Sequence, residues 1–178
     1  METFVIPNPR RVAVIESEAD IARSPEDVFD YCSDPMNEPR WNVKMKGVEK
    51  LTGGPFGVGT RYRMEFVSGP PVLSECVRLE RPSVWELFGG SRVMRSGWRG
   101  RVRAGPAGTH LVLRMEIELR GLLALATPLL RRRMRPELER DIATIKETLE
   151  AADRPPQRPP GAMAEPGSTD ELSGSSVA

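Results

Sequence analysis

The sequence predicts an α+β domain in which an antiparallel sheet packs against one long C-terminal helix. Between residues 138 and 149 the apolar side chains recur at helical spacing, at Leu138, Ile142, Ile145 and Leu149. Such a stripe must bury against another element. Every other predicted element is a strand or a short helix, so the partner of the long helix is a sheet.

Length and composition exclude several classes of protein. The chain of 178 residues allows one domain with extensions, and its formal net charge of +1 gives no reason to expect a nucleic-acid partner. Cys32 and Cys76 are too few for a disulfide framework and suit two free thiols in a reducing compartment. The sequence shows neither a signal-peptide layout nor an apolar run of the ~20 residues that a membrane span needs. We therefore expect a soluble, cytoplasmic protein.

The first elements are a strand and a short capped helix. Alternation over residues 12–23 predicts a strand with one wet face. Ser24 can cap the next helix, Pro25 fits its first position, and the acidic residues that follow suit the positive end of the helix dipole. The Asp34-Pro35 step ends this helix, and a second short helix or turn containing Trp41 follows.

The middle of the chain predicts more strands, separated by turns rich in glycine and proline. They cover residues 48–51, 60–67, 72–81, 84–88, 97–103 and 111–119. The last one is the clearest, because Leu111, Leu113, Met115, Ile117 and Leu119 alternate with polar or charged residues over most of its length. Together with the first strand they predict a sheet of about six or seven strands.

The chain divides into three parts. Residues 1–11 contain two prolines and no periodicity, and we expect a loose N-terminal arm. Residues 12–152 form the folded domain. Residues 153–178 consist mainly of proline, glycine, serine, alanine and charged residues, which cannot bury enough apolar surface to offset the entropy lost on ordering. We expect this last part to be a disordered tail.

Four stretches of the sequence resemble one superfamily. They are residues 22–29, at the step from strand to helix, residues 34–41, residues 57–62, and the Gly108-Thr109 turn before the last strand. Together with the element order, they resemble the SRPBCC superfamily, whose START-like or helix-grip fold is shared with the birch-pollen allergens. The resemblance covers roughly residues 10–152 and extends to bacterial polyketide cyclase/dehydrase-type members. It implies a curved sheet that grips the long helix, with two short helices after the first strand and an apolar cavity between sheet and helix.

The inward faces of the predicted elements supply the candidate ligand-binding residues. They are Trp41, Tyr62, Met64, Phe66, Leu73, Val77, Trp98, Leu113, Met115 and Ile117, with Leu122, Leu125 and Leu129 from the helix. Gly97 and Gly100 would leave space beside them, and methionine lines adaptable pockets. Each of these residues can equally belong to an ordinary close-packed core.

Few residues can carry catalysis. Glu75 shares the strand parity of Leu73 and Val77, so it is predicted to point inward, where burial would raise the pKa of its carboxyl group and suit it to acid–base work. Alternatively, the strand bulges there, or Glu75 pairs with an arginine. His110 is predicted to face outward, as a surface residue. The sequence shows no metal-ligand cluster, phosphate loop or nucleophile elbow, so we expect neither a metal nor a cofactor.

A basic cluster lies at the start of the long helix. Arg131, Arg132, Arg133 and Arg135 follow the apolar run of residues 122–130. They can contact anionic lipid or the negative end of a ligand, which would amount at most to peripheral membrane contact. Alternatively, they form a solvated helix surface paired with acidic neighbours.

Three functions remain open from the sequence. The preferred one is the binding of a small hydrophobic molecule, such as a lipid or a polyketide-like compound, in the cavity. The second is a polyketide cyclase or dehydratase in which the same cavity shapes a poly-ketone chain and Glu75 or Tyr62 assists proton transfer. The third is a module that binds a partner protein. The family resemblance does not decide among them, because one fold hosts many functions.

Overall fold

The structure is a computed structural model that describes residues 12–106 and 108–152. The strands within these residues are β1 (Val12–Ile21), β2 (Met45–Lys50), β3 (Arg61–Phe66), β4 (Val72–Glu80), β5 (Val84–Gly90), β6 (Met94–Gly105) and β7 (Gly108–Leu119). The helices are α1 (Pro25–Ser33) and α2 (Thr127–Ala151), with a first 3₁₀ helix at Pro35–Arg40 and a second at Gly121–Ala126.

The described strands form one antiparallel sheet in the order β1-β7-β6-β5-β4-β3-β2. Consecutive strands from β2 to β7 are neighbours. The strand β1 lies at the edge of the sheet and pairs with β7 along its whole length. The sheet curls around α2, so the predicted α+β helix-grip fold is confirmed. The predicted arm at residues 1–11 and tail at residues 153–178 lie outside the described residues.

Side-chain caps fix where the short helices begin. The Ser24 hydroxyl accepts a hydrogen bond from the Asp27 amide at 3.1 Å, and Pro25 occupies the first position of α1, as the sequence predicted. Asp34 ends α1 and caps the first 3₁₀ helix by accepting a hydrogen bond from the Met36 amide at 3.0 Å. Because one aspartate serves both helices, the chain turns sharply between them.

The long helix buries the stripe that its sequence predicted. Leu138, Ile142, Ile145 and Leu149 are all buried, and α2 packs mainly on β1. The helix continues through Pro136 without interruption. A 25-residue helix that is buried along one stripe derives most of its stability from this packing rather than from helix propensity.

A glycine allows the β6–β7 hairpin to lie against the junction between β1 and α1. Gly108 has a φ of 127°, and a Cβ atom there would lie 2.4 Å from the carbonyl oxygen of Ile21. The next residue, Thr109, donates its hydroxyl to the Arg23 carbonyl at 2.6 Å. This close approach requires a residue without a side chain.

No helix among the described residues is long and apolar enough to span a membrane.

Candidate functional site

The concave face of the sheet has a close-packed half and a half-buried half. The large side chains of the close-packed half are almost fully buried: Tyr62, Trp85, Val102, Leu111 and Leu113. This half is an ordinary core, in which Phe29 of α1 packs edge-to-face on Trp85 with ring centroids 5.4 Å apart.

The other half of the concave face keeps its large apolar side chains partly accessible. We call it the apolar groove. From the sheet it includes Met64, Phe66, Met94, Trp98, Met115 and Leu119, and from α2 it includes Leu130 and Met134. The helices leave this region incompletely covered, because α1 packs on β6 and β7 near the buried half while α2 packs mainly on β1. Partly accessible apolar side chains on a concave surface are typical of a ligand site.

Trp98 forms one wall of the apolar groove, and Trp41 packs against it. Trp41, which follows the first 3₁₀ helix, stacks on Trp98 of β6 with ring centroids 6.2 Å apart and an interplanar angle of 17°. Trp98 lies directly opposite Met115 in the β6–β7 register. Trp41 itself is buried, so it supports Trp98 from behind and contributes little accessible surface of its own.

A polar cluster lies between the turn at Trp41 and α2. The buried Glu38 carboxylate accepts a hydrogen bond from the Asn42 side-chain amide at 2.9 Å. Lys44 forms an ion pair with Glu137, which holds this turn against the helix. Asp141 lies one helical turn beyond Glu137, close enough to Glu38 for their charges to repel.

Burial changes the acid–base behaviour of this cluster. Loss of hydration raises the pKa of Glu38 to about 7, opposed by the hydrogen bond from Asn42 and reinforced by the charge of Asp141. Burial, with a further contribution from Glu137, raises the pKa of Asp141 to about 6. Glu38 can therefore gain or lose a proton near neutral pH. Neither carboxyl group was singled out from the sequence, because only the tertiary structure buries them.

Tyr62 belongs to the close-packed half and not to the apolar groove. Its hydroxyl donates to Asp34 at 3.4 Å, and its ring packs beside Phe56. Burial raises the pKa of Tyr62, and the nearby Asp34 carboxylate raises it further. The ring is fully buried, so a molecule in the apolar groove does not reach it without rearrangement.

The predicted inward positions of Leu73, Glu75 and Val77 are wrong. All three side chains point to the convex face of the sheet and are exposed, whereas Val72, Ser74 and Cys76 point inward. Both parities of this strand carry apolar residues, so alternation alone does not choose between them. The pairing of β4 with β5 decides, and a bulge after Cys76 then returns Leu79 to the packed side.

The convex face beside Glu75 is covered by a network of charges. Glu86 bridges Arg78 and Arg99 with N–O distances of 3.3 and 3.0 Å, and Arg114 pairs with Glu116 at 2.8 Å. This face is therefore a mainly polar outer surface on which Leu73 and Val77 are exposed.

The predicted positions of Leu122, Leu125 and Leu129 in the cavity are also wrong. These side chains are 87%, 83% and 68% exposed. Leu130 and Met134 lie on the side of the helix that faces the groove, because they are eight and four residues before Leu138 and so continue its stripe. Extending the stripe backwards from Leu138 would have found them in the sequence.

The remaining predicted site residues lie on the concave face. Trp41, Leu113 and Ile117 are buried in the core, and Met64, Phe66, Trp98 and Met115 are in the apolar groove. His110 points outward and contacts Asp20, with 2.8 Å between Nδ1 and Oδ1. Within residues 12–106 and 108–152, no group of three or more His, Cys, Asp or Glu side chains is arranged to hold a metal ion.

Comparison with known proteins identifies a family and a shared fold. Residues 12–150 match the family model described as polyketide cyclase / dehydrase and lipid transport. No curated protein matches the chain. Solved structures do match it, but their sequence identities are so low that they establish only the fold.

Three of these solved structures serve as examples. TTHA0849 from Thermus thermophilus is 22% identical with a TM-score of 0.65, covering 79% of this chain and 99% of that one. A START superfamily protein from Mycobacterium smegmatis is 16% identical with a TM-score of 0.64, and the match covers 78% of this chain and 98% of that one. The di-domain ARO/CYC StfQ from the steffimycin biosynthetic pathway is 14% identical with a TM-score of 0.66, and the match covers 79% of this chain and 52% of StfQ.

Proposed function

Because the chain belongs to the polyketide cyclase / dehydrase and lipid transport family, we propose that it binds a small hydrophobic molecule in the apolar groove. The observation that carries the proposal is the division of the concave face into a close-packed half and a half-buried half. A protein that needed only a core would cover both halves, since exposed apolar surface forfeits about 25 cal/mol per Å².

The composition of the groove suits an apolar ligand of variable shape. Met64, Met94, Met115 and Met134 contribute unbranched, polarizable side chains from three strands and a helix. Such side chains change rotamer at little cost and fit irregular partners. Trp98 adds a large flat surface held in place by Trp41. A lipid chain or a polyketide-like molecule fits this chemistry.

Filling the groove with protein atoms tests the proposal. Met115→Trp should abolish uptake of the neutral fluorescent probe N-phenyl-1-naphthylamine while shifting Tm by less than about 2 °C, because the new ring occupies ligand space. Leu113→Trp, two residues away on the same face, should instead lower stability by about 1–3 kcal/mol, because Leu113 is fully buried. Val112→Trp, on the opposite face of β7, should change neither property.

Two results would overturn the proposal. One is Met115→Trp being as destabilising as Leu113→Trp, which would make the groove a core. The other is unchanged probe uptake by a folded Met115→Trp variant, which would place the probe elsewhere.

The second candidate function is a cyclase or dehydratase that uses the same groove, and Glu38 favours it. Its buried carboxyl group has a pKa of about 7, and its backbone carbonyl accepts a hydrogen bond from the amide of Trp41, which supports the groove wall. A group with that pKa is suited to proton transfer next to a ketone. If this function holds, Glu38→Gln should lower kcat for cyclisation of a poly-β-ketone thioester at least ~100-fold while leaving probe affinity unchanged. Equal turnover by the variant and the parent would eliminate Glu38 as the acid or base.

A further inference from the structure

We propose that the second 3₁₀ helix and the start of α2 form a membrane-docking tip that binds the surface of an anionic lipid bilayer. The docking tip comprises Leu122, Leu123, Leu125 and Leu129, together with Arg131, Arg132 and Arg133. The proposal concerns a different surface from the apolar groove, and it stands or fails independently of the function proposed above.

The leucines of the docking tip project into solvent. Leu122, Leu125 and Leu129 are the three most exposed of them, and Leu123 is about half exposed. Leu122 and Leu125 are three residues apart in a 3₁₀ helix, so they share one side, and Leu129 follows at the four-residue spacing of an α-helix. Isolated exposed leucines are normal, but four within eight residues form an apolar projection.

The charge of the same segment is entirely positive. Residues 120–136 contain five arginines and no acidic residue. Arg131, Arg132 and Arg133 are exposed and make no ion pair with any residue that the structure describes. By contrast, most arginines on the convex face of the sheet form ion pairs with glutamates. Unpaired arginines beside exposed leucines complement a surface that is both apolar and anionic.

The leucines and arginines are arranged in the order that a bilayer requires. Arg132 and Arg133 lie three and four residues after Leu129, so they are on the same face of α2 and roughly 5 Å further along its axis. With the leucines inserted among the acyl chains, these guanidinium groups reach the level of the lipid phosphates. This spacing agrees with the ~5–10 Å depth at which interfacial helices bury their apolar face.

A second loop extends the basic surface. The Arg120 amide donates to the Val93 carbonyl at 2.9 Å, which holds the β5–β6 hairpin beside the second 3₁₀ helix. Arg92 at the end of this hairpin is exposed. Leu130 and Met134, on the other side of α2, border the apolar groove, so docking would bring the groove close to the lipid surface.

A fluid lipid surface fits better than a folded protein partner. The leucines form a convex projection, for which a protein would need a matching pocket. A protein partner would have to place acidic groups opposite the arginines, whereas an anionic membrane needs no such fixed arrangement. Each arginine near its surface strengthens binding about fivefold.

Vesicle flotation of the full chain tests the docking tip. At 0.15 M salt we expect binding to vesicles of phosphatidylcholine and phosphatidylserine in a 7:3 ratio, and at least tenfold weaker binding to phosphatidylcholine alone. Leu125→Asp should weaken binding to the mixed vesicles about tenfold or more. The double variant Arg132→Gln/Arg133→Gln should weaken it about 25-fold, at fivefold per arginine.

Matched controls use exposed residues of the same type elsewhere. Leu51→Asp after β2 and Arg101→Gln/Arg103→Gln at the far end of β6 should leave vesicle binding within twofold of the parent. Failure to float with anionic vesicles, or equal loss in control and tip variants, would overturn the proposal. Vesicle-free self-association that Leu125→Asp abolishes, without flotation, would also overturn it and assign the leucines to a protein contact. Probe uptake measured without vesicles tests the groove separately.

Discussion

A single glycine shows how the close-packed half of the concave face is filled. In the sequence, Gly100 and Gly97 would both leave space for a ligand. In the structure, the space at Gly100 is occupied by Trp85, whose Cζ2 lies 2.0 Å from where a Cβ would be. Gly97 faces the other side of the sheet, where the nearest atom is 3.9 Å away. Neither glycine therefore enlarges the groove.

We predict opposite effects of adding a methyl group at these two glycines. Gly100→Ala should destabilise the fold by about 1–3 kcal/mol, because the fully buried Trp85 ring has no room to move. Gly97→Ala should be neutral or stabilising by up to about 1 kcal/mol, because it restricts the unfolded chain without a clash. Urea unfolding of the two variants measures the difference, and equal stabilities would contradict the packing of Trp85 against β6.

Glu38 should make stability depend on pH. Its pKa is about 7 in the folded protein, against an ordinary value of 4.5, so between these pH values the folded state holds a proton that the unfolded state has lost. Protonation of Glu38 therefore stabilises the folded state fully below about pH 4.5, and this contribution is lost as pH rises through about 7. The Asp141 carboxyl group acts in the same direction, because burial raises its pKa from 3.8 to about 6.

We expect Glu38→Gln to remove most of this dependence. Relative to the parent, the variant should gain roughly 2–3 kcal/mol between pH 5 and pH 8, because a neutral amide has no ionised form to desolvate. Thermal unfolding at both pH values tests this, with Glu147→Gln on the exposed side of α2 as the control. A parent whose stability is flat or rises over this range would show that Glu38 is not buried as described.

Among the elements, α2 has two opposite faces that differ in burial. One face runs from Leu130 and Met134 through Leu138 to Leu149 and packs on the sheet. The opposite face carries Leu129, Arg132 and Arg133 of the docking tip. The sequence alone shows both sets of apolar residues, but only the packing on β1 determines which set is inside.

A charge on the buried face of α2 should unfold the domain. Ile142→Asp places an unpaired carboxylate against the sheet and should cost about 3 kcal/mol or more. Ala143→Asp, one residue away and exposed, should cost under about 1 kcal/mol, mainly from helix propensity. Denaturant unfolding measures both. Similar losses for the two variants would mean that the stripe does not face the core.

For the whole molecule, ligand binding and stability should be linked. An apolar molecule that enters the groove binds only the folded state, so at 100 times its Kd it should add about 2.7 kcal/mol. For a domain of this size, that gain raises Tm by roughly 5–10 °C. Met115→Trp should abolish the shift while Val112→Trp retains it. An equal shift in both variants would indicate a binding site outside the groove.

Much of the fold could be predicted because local patterns and tertiary packing agree. Ser24 and Pro25 start α1 through contacts within one helical turn, and the stripe from Leu138 needs only helical periodicity. The clean alternation of β7 predicts its buried side. In each case one side of the element is clearly more apolar than the other, so the hydrophobic effect leaves a single arrangement.

The candidate site was less predictable, because its residues are defined by what covers them. Met115 and Leu113 share one face of β7, yet only the placement of the helices leaves the first accessible and buries the second. Glu38 acquires its raised pKa from burial against α2, to which no local pattern points.

The order of elements, the helix caps, the buried stripe of α2 and the inward face of most strands follow from the sequence, because each depends on residues close together in the chain. Tertiary structure alone decided the orientation of β4, where apolar residues occupy both faces, and the outward position of Leu122, Leu125 and Leu129. The physical reason is the same in both cases. Hydrophobicity shows that a side chain would gain from burial, but the pairing of strands and the reach of the helices decide which side chains are covered.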